Sequence, residues 1–256
     1  MKTTAILFDI DGTLIDAAGA GRACLNVAFA EVFGVEPSLL AATAVPFAGR
    51  TDPAIFRSIA DALGVAPRDY LARVDAVREA YFAALRIRMA IPDPRRRVYP
   101  GVLALLESLR ASDHAAIGLL TGNLERGARI KLEAFDLNRF FPAGGFSTDD
   151  GDRRAIARIA AARVAEHHGA EIPPERTVVI GDTALDVDCA RANGFRSIAV
   201  ATGGASPEEI ATWPCDAWFD DLADLPAVWR AIGLSEPTHG ITKSIPRAES
   251  GGSIRS

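Results

Sequence analysis

Five short apolar segments recur along the chain, each bounded by turn or polar residues, at 4–8, 115–120, 177–180, 197–201 and 217–219. Runs of this length and composition are typical of buried β-strands. Between the later runs, apolar residues repeat with helical spacing and predict helices over 102–110, 124–135, 154–167 and 185–193. Strands that alternate with helices predict an α/β fold in which helices cover both faces of a parallel sheet.

The interval between the first and second predicted strands is about a hundred residues, too long for a connecting loop. Its pattern is almost wholly helical, with candidate helices at 21–33, 52–63 and 67–90, and a proline-rich hinge follows at 91–100. The sequence therefore predicts a helical domain at 16–97, inserted into a core made of 1–15 and 98–234. The last segment, 235–256, lacks apolar periodicity and is expected to be largely disordered.

Composition excludes several classes of protein. The chain has 256 residues, a formal net charge of -5 and 49% hydrophobic residues, which argues against a basic surface for nucleic acid or an anionic membrane. Three widely separated cysteines form no zinc or redox motif. No apolar stretch has the length of a signal peptide core or a membrane span, so we expect a cytoplasmic protein.

Two aspartates follow the first predicted strand, in the segment Asp9-Ile10-Asp11-Gly12-Thr13. Because strand side chains alternate, both carboxylates can point the same way where the strand ends, which is the edge where open parallel sheets bind ligands. Close carboxylates repel each other unless a cation binds or one of them keeps its proton. The pair is also compatible with a simple turn, since Asp-Gly is common in turns.

Two other strand ends carry polar groups to the same edge. Thr121, Gly122 and Asn123 stand directly before a helix, where a hydroxyl and free backbone N–H groups can bind an anion. Thr121 or Asn123 could equally cap that helix. Asp182 follows the third predicted strand and offers the oxygen ligand that Mg²⁺ prefers, beside Asp9.

Taken together, DIDGTL, LTGN and GDTALD, in this order on three strand ends, resemble the signature motifs of the haloacid dehalogenase superfamily. The similarity covers 4–15 and 98–230, and the helical insertion resembles the cap of the phosphoglycolate-phosphatase-like branch. The resemblance implies a Rossmann-like parallel sheet with a mobile helical (C1-type) cap, and a phosphoric monoester hydrolase that acts on a small phosphorylated metabolite.

The resemblance also implies roles for the polar residues. Asp9 would attack phosphorus and form an aspartyl phosphate, and Asp11 would protonate the leaving oxygen and later deprotonate water. Mg²⁺ would be held by the carboxylates of Asp9 and Asp182 and the backbone carbonyl of Asp11, with Asp186 behind them. Thr121 and the two amides after it would bind the phosphoryl oxygens. From the residues alone, Asp186 could instead cap the following helix.

The sequence departs from the family pattern at the cation that balances the phosphoryl charge, which is commonly the lysine of a Lys-Pro pair. No Lys-Pro occurs; Arg153 and Arg154 stand at the corresponding spacing before Asp182, and Lys131 lies further upstream. The chain uses arginine far more often than lysine, so an arginine substitute is expected. Arg153 is the first candidate and Lys131 the second, although either could lie on a solvated helix face.

Substrate contacts are expected from the insertion, where the glycine-centred loop 47–52 interrupts the helical pattern. Arg50 could reach a carboxylate or second phosphate of a substrate, or could be solvated while Thr51 or Asp52 caps the next helix. A phosphomutase of the β-phosphoglucomutase type and a catalytically idle binding module are alternatives to hydrolysis. A dehalogenase or phosphonatase is disfavoured because those branches lack an aspartate at the position of Asp11. The chain could act as a monomer or a homodimer.

Overall fold

The computed structural model describes residues 3–235, and its centre is a parallel sheet of six strands. The strands lie in the order β5-β4-β1-β6-β7-β8. Their bounds are β1 Thr4–Phe8, β4 Ala115–Leu120, β5 Gly144–Gly145, β6 Thr177–Gly181, β7 Arg196–Val200 and β8 Ala217–Phe219; a second sheet pairs β2 Ile15–Asp16 with β3 Arg97–Val98. The predicted α/β fold with a parallel sheet is therefore confirmed.

Ten α-helices accompany these strands in the described part of the chain, together with two short 3-10 turns at Asn138–Phe140 and Pro174–Arg176. Four of the helices lie in the predicted insertion. The helices are α1 Ala20–Phe33, α2 Pro37–Ala41, α3 Asp52–Ala62, α4 Pro67–Ala90, α5 Val102–Arg110, α6 Glu125–Glu133, α7 Arg153–His168, α8 Ala184–Ala192, α9 Pro207–Ile210 and α10 Leu225–Ile232.

Strand β1 shows why the sheet is covered on both faces. Its side chains alternate, so Ile6 and Phe8 join the apolar cluster that includes α5, α6 and α10, whereas Ala5 and Leu7 pack with α7 and α8. All five residues of β1 are buried. Apolar side chains on both faces of a strand favour a central position in a helix-covered sheet, and β1 accordingly lies between β4 and β6.

The helical insertion has its own apolar centre, built largely from aromatic residues. Phe29 of α1, Phe56 of α3 and Tyr81 of α4 lie against one another, with ring centroids 6.4 Å and 5.6 Å apart in edge-to-face contacts. Such pairs each contribute about 0.5–1.5 kcal/mol beyond the area they bury. These contacts join α1, α3 and α4 into one packed unit.

Two chain segments connect the insertion to the sheet, and they pair with each other. Ile15 and Asp16 of β2 lie antiparallel to Val98 and Arg97 of β3, at the points where the chain enters and leaves the helices. The predicted hinge at 91–100 contains β3 but not β2, and the pairing of the two was not expected from the sequence. The tail predicted to be disordered, 235–256, lies outside the described residues except for its first residue. Within the described residues no helix has the length and apolar character needed to cross a membrane.

Candidate active site

Three buried aspartates meet at the carboxyl edge of the sheet. Asp9 follows β1, Asp182 follows β6, and Asp186 lies in the first turn of α8. One carboxylate oxygen from each lies within 4.8 Å of the others. Asp9 and Asp182 come together because β1 and β6 are parallel neighbours in register, with Phe8 opposite Ile180. The sequence analysis predicted this meeting of Asp9 and Asp182, and placed Asp186 just behind them.

Arg153, at the start of α7, lies against this acidic group. Its side chain is 9% exposed, its Nη2 is 3.3 Å from Asp9 Oδ2, and the same nitrogen donates a short hydrogen bond to Asp186 Oδ1. Nη1 donates to the carbonyl oxygen of Gly49 in the insertion, at 3.2 Å. Arg154 points elsewhere and forms an exposed ion pair with Asp188. Of these two neighbours, Arg153 alone contacts the acidic group.

Burial dominates the electrostatics of these side chains. Burial raises the pKa of Asp9, Arg153 lowers it and Asp186 raises it, and together these effects bring it to about 6. Burial together with Asp186 and Asp9 also raises the pKa of Asp182 well above its usual range. Burial alone would lower the pKa of Arg153, but Asp186 and Asp9 raise it above its ordinary value. The ionised carboxylates are therefore costly unless a cation accompanies them.

Asp186 is fixed by the turn that carries it. Thr183 and Asp186 form a capping box, in which Asp186 Oδ2 accepts from Thr183 N at 3.1 Å and Thr183 Oγ1 at 2.7 Å. Its other oxygen accepts from Arg153. Asp186 therefore takes part in the capping box of α8 and also contacts Arg153 in the acidic group.

Two glycines allow the backbone to pass close to Asp182. Gly12 has a φ of +87°, and a β-carbon there would lie 2.3 Å from Asp182 Oδ2. A β-carbon at Gly203 would lie 1.6 Å from the same oxygen. Thr13 Oγ1 donates to Asp182 Oδ1 at 3.2 Å. Asp182 is thus enclosed by backbone that only glycine permits.

Asp11 belongs to a second set of contacts. Its Oδ2 accepts from Lys131 Nζ at 2.5 Å and from Asn123 Nδ2 at 2.9 Å, and Lys131 also donates to Asn123 Oδ1 at 2.7 Å. Asn123 is held in turn by Thr121, whose Oγ1 accepts from Asn123 Nδ2 at 2.8 Å. Burial alone would lower the pKa of Lys131, but Asp11 and Asp52 raise it above its ordinary value.

Asp52 is a residue of the site whose contacts the sequence analysis did not predict. Its backbone N–H donates to the carbonyl oxygen of Gly122 at 2.7 Å, and its carboxylate accepts from Leu124 N at 2.8 Å. The insertion therefore binds the backbone on both sides of Asn123, just before α6 begins. Burial raises the pKa of Asp52 to about 6, although Lys131 lowers it. A β-carbon at Gly122 would lie 2.3 Å from the carbonyl oxygen of Arg50, so this contact also requires glycine.

A cavity of about 320 Å³ joins these groups. Core residues form its floor, and the insertion supplies the rest of its wall, including Arg22, Arg50 and Tyr81. Arg50 lines the cavity, but its guanidinium also donates to Ser58 Oγ at 2.9 Å and to two carbonyl oxygens of the insertion. The predicted residues Asp9, Asp11, Thr121, Gly122, Asn123, Lys131, Arg153 and Asp182 all line this cavity.

The acidic group is chemically suited to Mg²⁺. Asp9, Asp182 and Asp186 offer buried carboxylate oxygens within a distance that one ion can span, and Mg²⁺ prefers oxygen ligands. Arg153 is the counter-charge on Asp9 and Asp186. Since burial raises the pKa of Asp9 and Asp182, a divalent cation would offset a charge that Arg153 only partly neutralises.

The chain has an α/β core with an acidic centre at the carboxyl edge of its sheet, and a helical insertion covers that centre. These features define the class of protein. The model of the haloacid dehalogenase-like hydrolases matches residues 6–191. The chain therefore belongs to the haloacid dehalogenase-like hydrolase family, as its three motifs indicated.

Relatives agree with this assignment over most of the chain. It is 29% identical over 232 residues to a plasmid-borne phosphoglycolate phosphatase of Cupriavidus necator, covering 89% of this chain and 94% of the relative. It is 31% identical to a phosphoglycolate phosphatase of Cereibacter sphaeroides, covering 86% and 96%. A hydrolase from Pseudomonas syringae has a similar fold, with a TM-score of 0.64 at 21% identity and coverage of 91% and 100%.

Proposed function

We propose that this protein is a Mg²⁺-dependent phosphatase that hydrolyses a small phosphomonoester, such as phosphoglycolate or a sugar phosphate, through a phosphorylated Asp9. The observation that carries the proposal is the buried Asp9 carboxylate, which lines the cavity and has Asp182, Asp186 and Arg153 around it. A volume of about 320 Å³ favours a small substrate. The relatives named as phosphoglycolate phosphatases support the same class of substrate.

The reaction follows from what each side chain can do. An oxygen of Asp9 attacks phosphorus, the ester P–O bond breaks, and the leaving oxygen takes a proton from Asp11. Water then attacks the phosphorus of the aspartyl phosphate and gives its proton to Asp11, which releases phosphate and restores Asp9. Arg153 supplies positive charge beside Asp9 throughout.

Mg²⁺ would be held by the carboxylates of Asp9 and Asp182 and the backbone carbonyl of Asp11, with Asp186 bracing the site. When bound, the ion supplies charge that stabilises the phosphoryl oxygens. Thr121 and the backbone amide of Gly122 would bind the phosphoryl group, whereas the backbone N–H of Asn123 donates to Thr121 Oγ1 at 3.2 Å.

A panel of phosphorylated metabolites tests the reaction. With Mg²⁺ present, we expect phosphate release from at least one small ester among phosphoglycolate, sugar phosphates and nucleotides. An isomerised sugar phosphate without free phosphate would identify a phosphomutase instead. Failure to turn over any compound in the panel would contradict the proposal and favour a binding module.

Mg²⁺ is expected to stabilise the folded protein, and more strongly at neutral pH than at acid pH. The pKa of Asp9 in the folded protein, about 6, lies above its ordinary value, so the protein gains protonation at Asp9 on folding and is destabilised as the pH rises from about 4 through 6. Mg²⁺ binds the ionised form. At about 100 times its Kd it would stabilise by about 2.7 kcal/mol, or about 5–10 °C in Tm.

Thermal melts with and without Mg²⁺ at about pH 5 and about pH 7.5 measure this effect, because proton competition weakens binding at the lower pH. Asp182→Asn should lose the Mg²⁺-dependent shift. Asp188→Asn is the matched control, because Asp188 is half exposed and pairs with Arg154. An equal shift at both pH values, or a full shift in Asp182→Asn, would argue against a metal at this acidic group.

A further inference from the structure

Lys131 has a position in the cavity that the proposed reaction leaves without a role. Its side chain is 5% exposed, although it carries a charge. A buried lysine is unusual unless a specific partner holds it. Its ammonium group contacts Asp11 Oδ2 at 2.5 Å and Asn123 Oδ1 at 2.7 Å.

The contacts of Lys131 and Arg153 separate their tasks. Arg153 lies on Asp9 and Asp186, where the phosphoryl group would be attacked. The ion pair of Lys131, by contrast, is with Asp11. Arg153 therefore contacts Asp9 and Lys131 contacts Asp11, so the two cations do not neutralise the same carboxylate.

The hydrogen bonds of Asp11 have a further consequence. Lys131 and Asn123 both donate to the same oxygen, Oδ2. Within residues 3–235, Asp11 Oδ1 has no hydrogen-bond partner. Two donors on Oδ2 leave Oδ1 as the oxygen that exchanges a proton with the substrate. They also restrain a side chain that is 43% exposed to the cavity and would otherwise rotate.

We infer that Lys131 is a positioning residue, which together with Asn123 clamps Asp11 so that Oδ1 delivers its proton to the leaving oxygen. This role rests on the proposed function and deepens it, because Lys131 acts on the leaving group and not on the phosphoryl group. It accounts for a buried ammonium group two helical turns beyond Asn123, on the face of α6 that meets Asp11.

The test compares two substrates that differ in their need for a proton. Benzyl phosphate loses a basic alkoxide and requires Asp11, whereas 4-nitrophenyl phosphate loses a stable phenolate and does not. Because kcat/KM covers only binding and the steps up to departure of the leaving group, it excludes the later hydrolysis of the phosphoenzyme, and the comparison of the two substrates reports on the first proton transfer. Lys131→Met should lower kcat/KM about 100-fold for benzyl phosphate and less than about threefold for 4-nitrophenyl phosphate.

Two further variants complete the experiment. Asn123→Ala removes the other donor to Oδ2 and should show the same selective loss, which keeps the test open if Lys131→Met folds poorly. Arg126→Met is the matched control on α6, because Arg126 forms an exposed ion pair with Glu79 and should leave both substrates unaffected.

The outcomes separate this inference from the proposed function. An equal loss on both substrates would make Lys131 a phosphoryl-binding cation and overturn the positioning role, as would no loss on either. If the unmodified protein hydrolyses neither ester nor any member of the metabolite panel, the proposed function itself fails. A selective loss on benzyl phosphate supports the inference.

Discussion

Asn in place of Asp9 is expected to reduce turnover by at least about 10⁴-fold while the protein stays folded. An amide is a poor nucleophile toward phosphorus, and neither Asp182 nor Asp186 can replace Asp9. Asp182, which follows β6, accepts a hydrogen bond from Thr13, and Asp186, in the first turn of α8, accepts one from Thr183. The loss should appear in kcat for every substrate that the unmodified protein hydrolyses.

The stability of this variant follows from the burial of Asp9. Burial raises the pKa of this carboxyl to about 6, so ionised Asp9 is costly to keep in the folded protein near neutral pH. Asn has nearly the same shape and no charge, and Arg153 keeps its partner Asp186. We therefore expect a free energy of unfolding within about 1 kcal/mol of the unmodified protein, measured by denaturant titration.

A direct measurement is transfer of labelled phosphate from substrate to protein in acid-quenched samples. The unmodified protein should carry label that hydroxylamine removes, and Asp9→Asn should carry none. Asp136→Asn is the control for a lost carboxylate, because Asp136 is exposed and pairs only with Arg139 among the described ion pairs. Full activity in Asp9→Asn would contradict the assignment of Asp9 as the nucleophile.

The sequence analysis predicted the elements that have a strong side-chain pattern. Strand β1 and helix α5 have the predicted bounds, because an unbroken apolar run and a regular helical spacing leave few alternatives. Strand β5 consists of Gly144 and Gly145 and has no side chains to form a pattern. The two-residue pair of β2 and β3 is equally short. Such elements depend on tertiary pairing and leave almost no signal in the sequence.

The same distinction applies to the site. The convergence of Asp9, Thr121 and Asp182 followed from strand ends in a parallel sheet, so it could be predicted. The contact of Asp52 with Leu124 joins positions 72 residues apart in different parts of the fold. No local pattern indicates it. The sequence also did not reveal that Arg153 contacts Asp9 whereas Lys131 contacts Asp11, because these contacts depend on which helix face meets which aspartate.

Removal of Arg153 should produce the second large effect, on both activity and stability. Arg153→Met is expected to lower kcat/KM by about 10³-fold for all phosphate esters, since preorganised positive charge beside the phosphoryl group is lost. In contrast to Lys131→Met, the loss should not depend on the leaving group. Arg154→Met is a matched control one residue away, because Arg154 is 54% exposed and pairs with Asp188 at the surface. We expect nearly full activity in this control.

The free energy of unfolding should also differ clearly between Arg153→Met and Arg154→Met. Arg153 contacts both Asp9 and Asp186. Without it, the two carboxylates remain buried and lose this counter-charge. Breaking such a buried pair costs about 3–5 kcal/mol, whereas Arg154→Met should leave the stability nearly unchanged, because its ion pair is exposed to solvent. Mg²⁺ should restore part of the stability of Arg153→Met, because the ion neutralises the same carboxylates.

Arg153→Lys shows whether charge alone is sufficient. An ammonium group can neutralise Asp9 or Asp186, but it lacks the second nitrogen with which Arg153 donates to the Gly49 carbonyl while it contacts both aspartates. We expect activity between those of Arg153→Met and the unmodified protein, with much of the stability recovered. If Arg153→Met and Arg154→Met had equal kcat/KM values and equal Tm values, Arg153 would not be the balancing cation. The balancing charge would then have to come from another cation of the cavity.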